Sequence, residues 1–158
     1  MEKTIRKATE KDVGLILEFI KKLAEYEKML DEVVAKENLI NEWLFTKQVA
    51  EVIFALNGQK EVGFALYFHN FSTFLGKGGI YLEDLFVLPE YRGQGFGKLL
   101  LSTIAKTALE RSCGRVEWSC LEWNKPSIEF YERLGAKKLN EWRTFRLTGK
   151  ELENLANQ

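Results

Sequence analysis

Cysteine, proline and histidine are scarce in this chain: two, two and one among 158 residues. Cys113 and Cys120 lack CxxC spacing, so the sequence encodes neither a zinc ribbon nor a redox pair. The charged start "MEKTIRKATEKD" is unlike a secretory leader, and the two thiols therefore read as reduced packing residues. His69, alone, supplies neither a catalytic triad nor a metal site, and no metal is implied. Charge of one sign is equally missing: 23 Lys and Arg balance 23 Asp and Glu, and no long block of either forms. The electrostatic footprint of a nucleic-acid binder is thus absent, and no apolar run approaches the roughly 20 residues of a membrane span. These absences point to a soluble, cytoplasmic protein.

What is present is apolar and aromatic material, 46% and 13% of residues, enough to bury one core without staples; residues 1–158 read as a single domain. "TIRKA" alternates like a strand. Thr9 with Asp12 then resembles a capping box ahead of Val13, Ile16, Leu17, Ile20, Leu23 and Ala24 at helical spacing. A less regular helix is expected around Lys36 to Leu44. Asn57-Gly58 lies between two β-rich runs, a hairpin signal in which both residues accept positive φ. "GGIYLEDLFVLP" is apolar on both faces apart from Glu83 and Asp84 and reads as a central strand. A helix bearing Leu99, Leu100, Ile104, Ala105 and Leu109 follows, then a strand over "RVEWSCL". Asn124 resembles the cap of a helix with Pro126 in its first turn and Gly135 as its stop. "WRTFRL" is expected as a last strand, and "TGKE" as the cap of a short terminal helix. The order of elements predicts a mixed α/β (α+β) architecture, with the two strands around the glycine-headed helix parallel.

That helix is preceded by Arg92, Gly93, Gln94, Gly95, Phe96, Gly97 and Lys98. Glycine weakens helices and strands, so its density needs a reason. The amides at a helix start lack internal partners and lie at the positive end of the dipole, where a phosphate is favoured if no side chain blocks its approach. Arg92 and Lys98 add positive charge. A P-loop is excluded, because Arg92 stands where its first glycine belongs and Leu99 follows Lys98. A GxGxxG dinucleotide fingerprint fails too, at Lys98 or at Leu100 depending on where it starts.

What Arg92 to Gly97 does spell is RxxGxG, between a central strand and a helix. This resembles the pyrophosphate loop of the GCN5-related N-acetyltransferase (GNAT) superfamily. "EWNKPSIEFYERLGAKK" resembles that superfamily's later motif. Together with "YLEDLFVLPEYRGQGFG" and "LAEYEKM", the likeness is closest to the spermidine/spermine (diamine) and thialysine acetyltransferase branch. The resemblance implies a mixed sheet flanked by helices and splayed between its fourth and fifth strands. It also implies acetyl-CoA in the splay as cosubstrate, a small amine as acceptor, and a homodimer. By the same resemblance, the backbone of Leu85, Phe86 and Val87 pairs with pantetheine, and Arg92 through Lys98 hold the diphosphate. Asn124, Ser127 and Tyr131 flank the arm and thioester, Tyr131 as the acid facing the sulfur. Tyr26 and Glu27 match a "YE" associated with the polyamine chain. The family's substrate-binding base falls on Glu83. One departure is Glu117, where vertebrate polyamine enzymes carry histidine; an added carboxylate still suits a polycation.

The residues permit that chemistry independently. Only about one in a thousand primary amines is neutral at pH 7, so a base must take a proton, and a phenol can return one to the departing sulfur. Glu83 is a candidate base or water-positioning residue, since an acidic pair in an apolar strand is costly without a role. Period-two alternation sends Glu83 and Asp84 to opposite faces unless a bulge intervenes. Asp84 reads as a salt-bridge partner within the fold, and Trp118, Trp123 and Trp142 as core or dimer contacts; capping alone would also account for Asn124, and core packing for Tyr131, beside their roles in the resemblance. The expected activity is direct acetyl transfer to a polyamine, diamine or lysine analogue such as thialysine. The alternatives are a GNAT enzyme for an amino acid, aminoglycoside or protein N-terminus, or a non-catalytic acyl-CoA-binding regulatory module.

Overall fold

A computed structural model describes all 158 residues, in two compact units, Met1–Ser119 and Cys120–Gln158. The first holds a five-stranded sheet in chain order: β1 (Lys3–Lys7), β2 (Glu51–Asn57), β3 (Lys60–Ser72), β4 (Lys77–Val87) and β5 (Val116–Trp118). The first four are antiparallel neighbours, and β5 joins β4 in parallel. That change of direction follows from the long connection through α3 (Phe96–Glu110), which a hairpin cannot replace. The β2–β3 turn comprises Gly58 and Gln59, with Asn57 paired to Lys60, and only Gly58 takes positive φ (65°). The turn therefore needs one glycine, as a II′-type hairpin does, and Asn57 stays in the ladder.

The capping box forms as the sequence predicts: the Thr9 N–H donates to the Asp12 carboxylate at 2.7 Å. It closes a short 3-10 turn from which α1 (Val13–Tyr26) continues. Phe19 of α1 packs on Phe54, Phe64 and Phe86, which lie in register on one sheet face. On the other face, a Cβ at Gly63 would lie 2.9 Å from the Phe86 carbonyl oxygen and 3.2 Å from the Val87 side chain, so the bare residue lets β3 and β4 approach closely there, with Leu100 of α3 packed 3.4 Å away. The core is thus one sheet between two helices. The expected helix over Lys36 to Leu44 is a single α-turn, α2 (Glu37–Ile40), relaxing into π-helical turns over Asn41–Thr46.

The second unit contains α4 (Lys125–Arg133) and α5 (Gly149–Ala156), with Thr148 at the start of the latter. Gly135, at φ 94°, ends α4 in a Schellman closure: the Gly135 N–H reaches Glu132 and the Ala136 N–H reaches Tyr131. The strand expected over Trp142 to Leu147 does not form. Its alternation is that of a strand, but no ladder receives it, and Phe145 is 93% exposed. Trp142 is also exposed, so it is not a core residue.

Candidate active site

β4 pairs with β5 only over Ile80 to Leu82. β5 ends at Trp118, opposite Leu82, so the rest of β4, from Glu83 to Val87, has no strand on that side, at the place where the splay between the fourth and fifth strands is expected. At that point β4 bulges: Leu82 pairs with Tyr67 and Asp84 with Leu66, leaving Glu83 without a partner in β3. A bulge inserts one residue and resets the alternation, so the period-two argument no longer fixes the faces of Glu83, which is exposed, and Asp84, which is half-buried.

Past the bulge, the Leu88 N–H donates to the Val62 carbonyl at 2.8 Å. In an antiparallel ladder this makes Phe64–Phe86 a hydrogen-bonded pair and turns the N–H and C=O of Leu85 and Val87 away from β3. The edge that β5 leaves open therefore presents backbone groups of Leu85 and Val87. Phe86 gives its backbone to the sheet and its ring to α1.

The chain then passes a 3-10 turn (Pro89–Tyr91) into the glycine loop. Gly93 (φ 73°) and Gly95 (φ 91°) take left-handed conformations, and Gly95 caps α3 without any side-chain hydrogen bond. A Cβ at Gly93 would meet nothing within 4 Å, so glycine is required there for its φ rather than for space in the free protein. Gln94 donates from its side chain to the Glu90 carbonyl at 3.2 Å, while Phe96 is buried and packs edge-on against Tyr91. Lys98 is exposed in the first turn of α3. Lys3, at the start of β1, donates its ammonium to the Gln94 carbonyl and lies 5.1 Å from the centre of the Phe96 ring. Sequence reading missed this residue, because nothing local marks a cation that reaches its loop from 91 positions away.

Arg92 is placed differently from a plain phosphate cation. Its Nε donates to the Val87 carbonyl at 2.9 Å. Its guanidinium lies 4.5 Å from the centre of the Tyr26 ring and 5.1 Å from that of Phe86.

Tyr26 is the last residue of α1, and Glu27 follows as its C-cap. Lys28 adopts φ 62°, its N–H reaching Glu25 and that of Met29 reaching Ala24, a Schellman closure made without glycine. The closure fixes Glu27 at the negative end of the helix dipole. Burial raises the Glu27 carboxyl above its ordinary range, and Glu83 raises it further. Asp84 is pushed up to about 7, by burial first, then by Glu83, then by Glu27. Three carboxylates from α1 and β4 thus feel one another. Asp84, read from sequence as a salt-bridge partner, belongs with them. Glu117 is otherwise engaged: its carboxylate lies 3.0 Å from Arg115 and accepts from the Asn70 amide at 3.4 Å. His69 stands 3.3 Å from Arg111, in the ion pair that Arg111 makes with Glu51.

In the second unit, Asn124 is buried at the start of α4 but forms no side-chain capping bond, so helix capping does not account for its side chain. Tyr131 and Ser127 are half-buried on α4, the Tyr131 ring 5.5 Å from that of Phe130.

Comparison with known proteins follows this geometry. Residues 17–136 match the model of the acetyltransferase (GNAT) family. The thialysine N-epsilon-acetyltransferase of Sus scrofa is 39% identical over 98% of this chain and 97% of its own length. The human spermidine/spermine N(1)-acetyltransferase-like protein 1 is 34% identical over 96% of this chain and 23% of its own. Among solved structures, an integron cassette protein from the mobile metagenome of V. cholerae superposes with a TM-score of 0.83 at 28% identity, covering 100% of this chain and 99% of the other. An open strand edge, a bare helix start and an acidic bulge thus coincide with sequence similarity along nearly the whole chain: the protein belongs to the GNAT family and is an N-acetyltransferase acting on an amine.

Proposed function

We propose that the donor is acetyl-CoA and that the acceptor is a primary amine on a small polycation: a polyamine, a diamine or a lysine analogue. The observation that carries the acceptor is the set of coupled carboxylates Glu27, Glu83 and Asp84 beside the splay. Like charges raise one another's proton affinity, and a cation entering among them relieves that repulsion. The relatives support the same class, being named for thialysine, for spermidine and spermine, and, over part of the chain, for L-ornithine. Glu117, neutralised by Arg115, is left out of the acceptor site.

The donor's fit rests on the open edge and the loop. The N–H and C=O of Leu85 and the N–H of Val87 offer strand-type hydrogen bonds to a pantetheine arm, the Val87 carbonyl being held by Arg92. Gly93, Gln94, Gly95, Phe96, Gly97 and Lys98 offer backbone N–H groups, a helix dipole and one cation to a diphosphate. Acetyl-CoA supplies an activated acetyl thioester. The chain's own residues do the rest. Glu83, at the bulge, takes the ammonium proton directly or through one water, making the amine nucleophilic. A backbone N–H on the open edge is placed to stabilise charge developing on the thioester oxygen. From the family likeness come the roles of the second unit, Tyr131 as the acid that returns a proton to the departing sulfur, and Asn124 and Ser127 as partners of the arm. The exposed Trp142, Phe145, Leu152 and Leu155 of the second unit support a homodimer in which they are covered.

Thiol release measured with acetyl-CoA across spermidine, putrescine, thialysine, lysine, an aminoglycoside and a peptide N-terminus tests this reading. The small polycations are expected to give the highest kcat/KM. Preference for a peptide or a neutral amino acid overturns the acceptor class, and coenzyme A binding without turnover on any amine supports the binding-module alternative.

A further inference from the structure

Arg92 connects three parts of the first unit that nothing else joins so directly. Its backbone leads into Gly93, and its own N–H closes the Pro89–Tyr91 turn on the Pro89 carbonyl at 3.2 Å. Its Nε satisfies the Val87 carbonyl, one of the groups that β5 leaves unpaired on the open edge. Its guanidinium plane spans Tyr26 and Phe86, whose ring centres are 6.4 Å apart. Tyr26 immediately precedes Glu27, and α1 ends there in a closure that needs an unfavourable φ at Lys28. Such a helix end gains from an external hold, and Arg92 supplies one from the donor side.

We propose that Arg92 is a positioning residue that couples the two substrates: anchored on the Val87 carbonyl, its guanidinium holds Tyr26, and through it Glu27, in the arrangement that receives the amine. The inference rests on the proposed acceptor site at Glu27, Glu83 and Asp84. Arg92 ties the open edge at Val87 to Tyr26, so a donor arm bound along that edge firms up the acceptor side before the amine arrives. By linkage, the amine must tighten donor binding by the same factor. Lysine is not equivalent, because an ammonium lacks the planar fork that lies between two rings while donating to a carbonyl.

The test uses Arg92→Leu and Arg92→Lys with two donors, acetyl-CoA and S-acetylpantetheine, the latter lacking the diphosphate. Both variants are expected to raise the amine KM about tenfold with either donor, a size suited to two exposed cation–π contacts and one hydrogen bond. Coenzyme A affinity without amine is expected to fall by less than the amine KM rises. Hydrogen exchange at the amides of residues 24–29 is expected to quicken in both variants, without any ligand. Weakened coenzyme A binding with an unmoved amine KM and unaffected acetylpantetheine turnover overturns the proposal and makes Arg92 a diphosphate ligand; full rescue by Arg92→Lys overturns it too. Glu27→Gln separates the underlying reading. If that variant leaves every amine KM unchanged while the Arg92 variants raise it, the acidic acceptor site fails and the coupling stands. If Glu27→Gln raises the KM and the Arg92 variants do not, the coupling fails and the site stands.

Discussion

At the start of α3, Gly93 and Gly95 present backbone stripped of side chains, whereas at the end of α1 and the bulge of β4, Glu27, Glu83 and Asp84 crowd carboxylates together. The first region lies at the positive pole of a 15-residue helix and the second at the negative pole of a 14-residue one. On the proposed reading, each pole faces a substrate of opposite charge, a diphosphate in one case and an ammonium in the other. The materials differ for a physical reason. A diphosphate is the same in every donor molecule, and fixed amides suffice to hold it. An amine must be both held and deprotonated, which requires groups that titrate. Substitutions should therefore act on chemistry and pH dependence in the acidic region, and on donor affinity alone in the glycine loop.

The sharpest way to break this contrast is Glu83→Gln. If Glu83 is the base, kcat/KM at pH 7 falls by about 10² to 10⁴, the usual worth of a positioned base. The deficit narrows as pH approaches the pKa of the amine, about 10, where the acceptor deprotonates unaided. A rate that falls equally at all pH values shows Glu83 to be a binding group only. An unaltered profile removes it from the site.

Asp84→Asn probes the same region through stability. The folded-state pKa of Asp84, about 7, lies above its ordinary 3.8. Its protonated form is thus favoured by folding, a contribution fully present below about pH 4 and lost as pH rises through 7. Wild type is accordingly destabilised at pH 8 by a buried charge that asparagine does not carry. The variant is expected to be more stable at pH 8 by on the order of 2–4 kcal/mol and nearly equal to wild type at pH 4, as read by denaturant unfolding. The amine KM should rise with the loss of a carboxylate, a gain of stability at the expense of function. Equal stability differences at both pH values refute the burial of an ionisable Asp84.

Much of this was legible in the sequence, and what was not shares one cause. The capping box at Thr9, the glycine stop at Gly135 and the loop at Gly93 and Gly95 each depend on residues within a few positions, and all formed as read. Glu83 and Asp84 were legible as costly but not as coupled, because a bulge depends on what β3 offers opposite. "WRTFRL" alternates correctly yet forms no strand, since a strand exists only with a partner. Lys3, and the contacts of Arg92 though not the residue itself, were hidden for the same reason: long side chains reach groups remote in sequence, Arg92 as far as Tyr26. Local rules located the glycine loop; long-range pairing shaped the acidic bulge.

The smallest effect belongs to the loop, and it isolates the backbone argument. Gly95 has φ 91°, where an added Cβ is strained whatever the space around it, and the nearest atom to that Cβ would be the Lys3 ammonium at 3.6 Å, an ordinary contact. Gly95→Ala therefore tests conformation rather than collision in the free protein. Holding alanine in that region costs about 1–2 kcal/mol. The loop either bears that cost as lost stability or relaxes and turns its amides off the diphosphate. In the second case acetyl-CoA affinity falls roughly tenfold, since 1.4 kcal/mol is one decade in an equilibrium constant. The kcat at saturating donor, and its pH profile, should not move, because no titrating group is altered. A changed pH profile in Gly95→Ala shows that the glycine loop also governs proton transfer, and the division of labour between the two helix poles then fails.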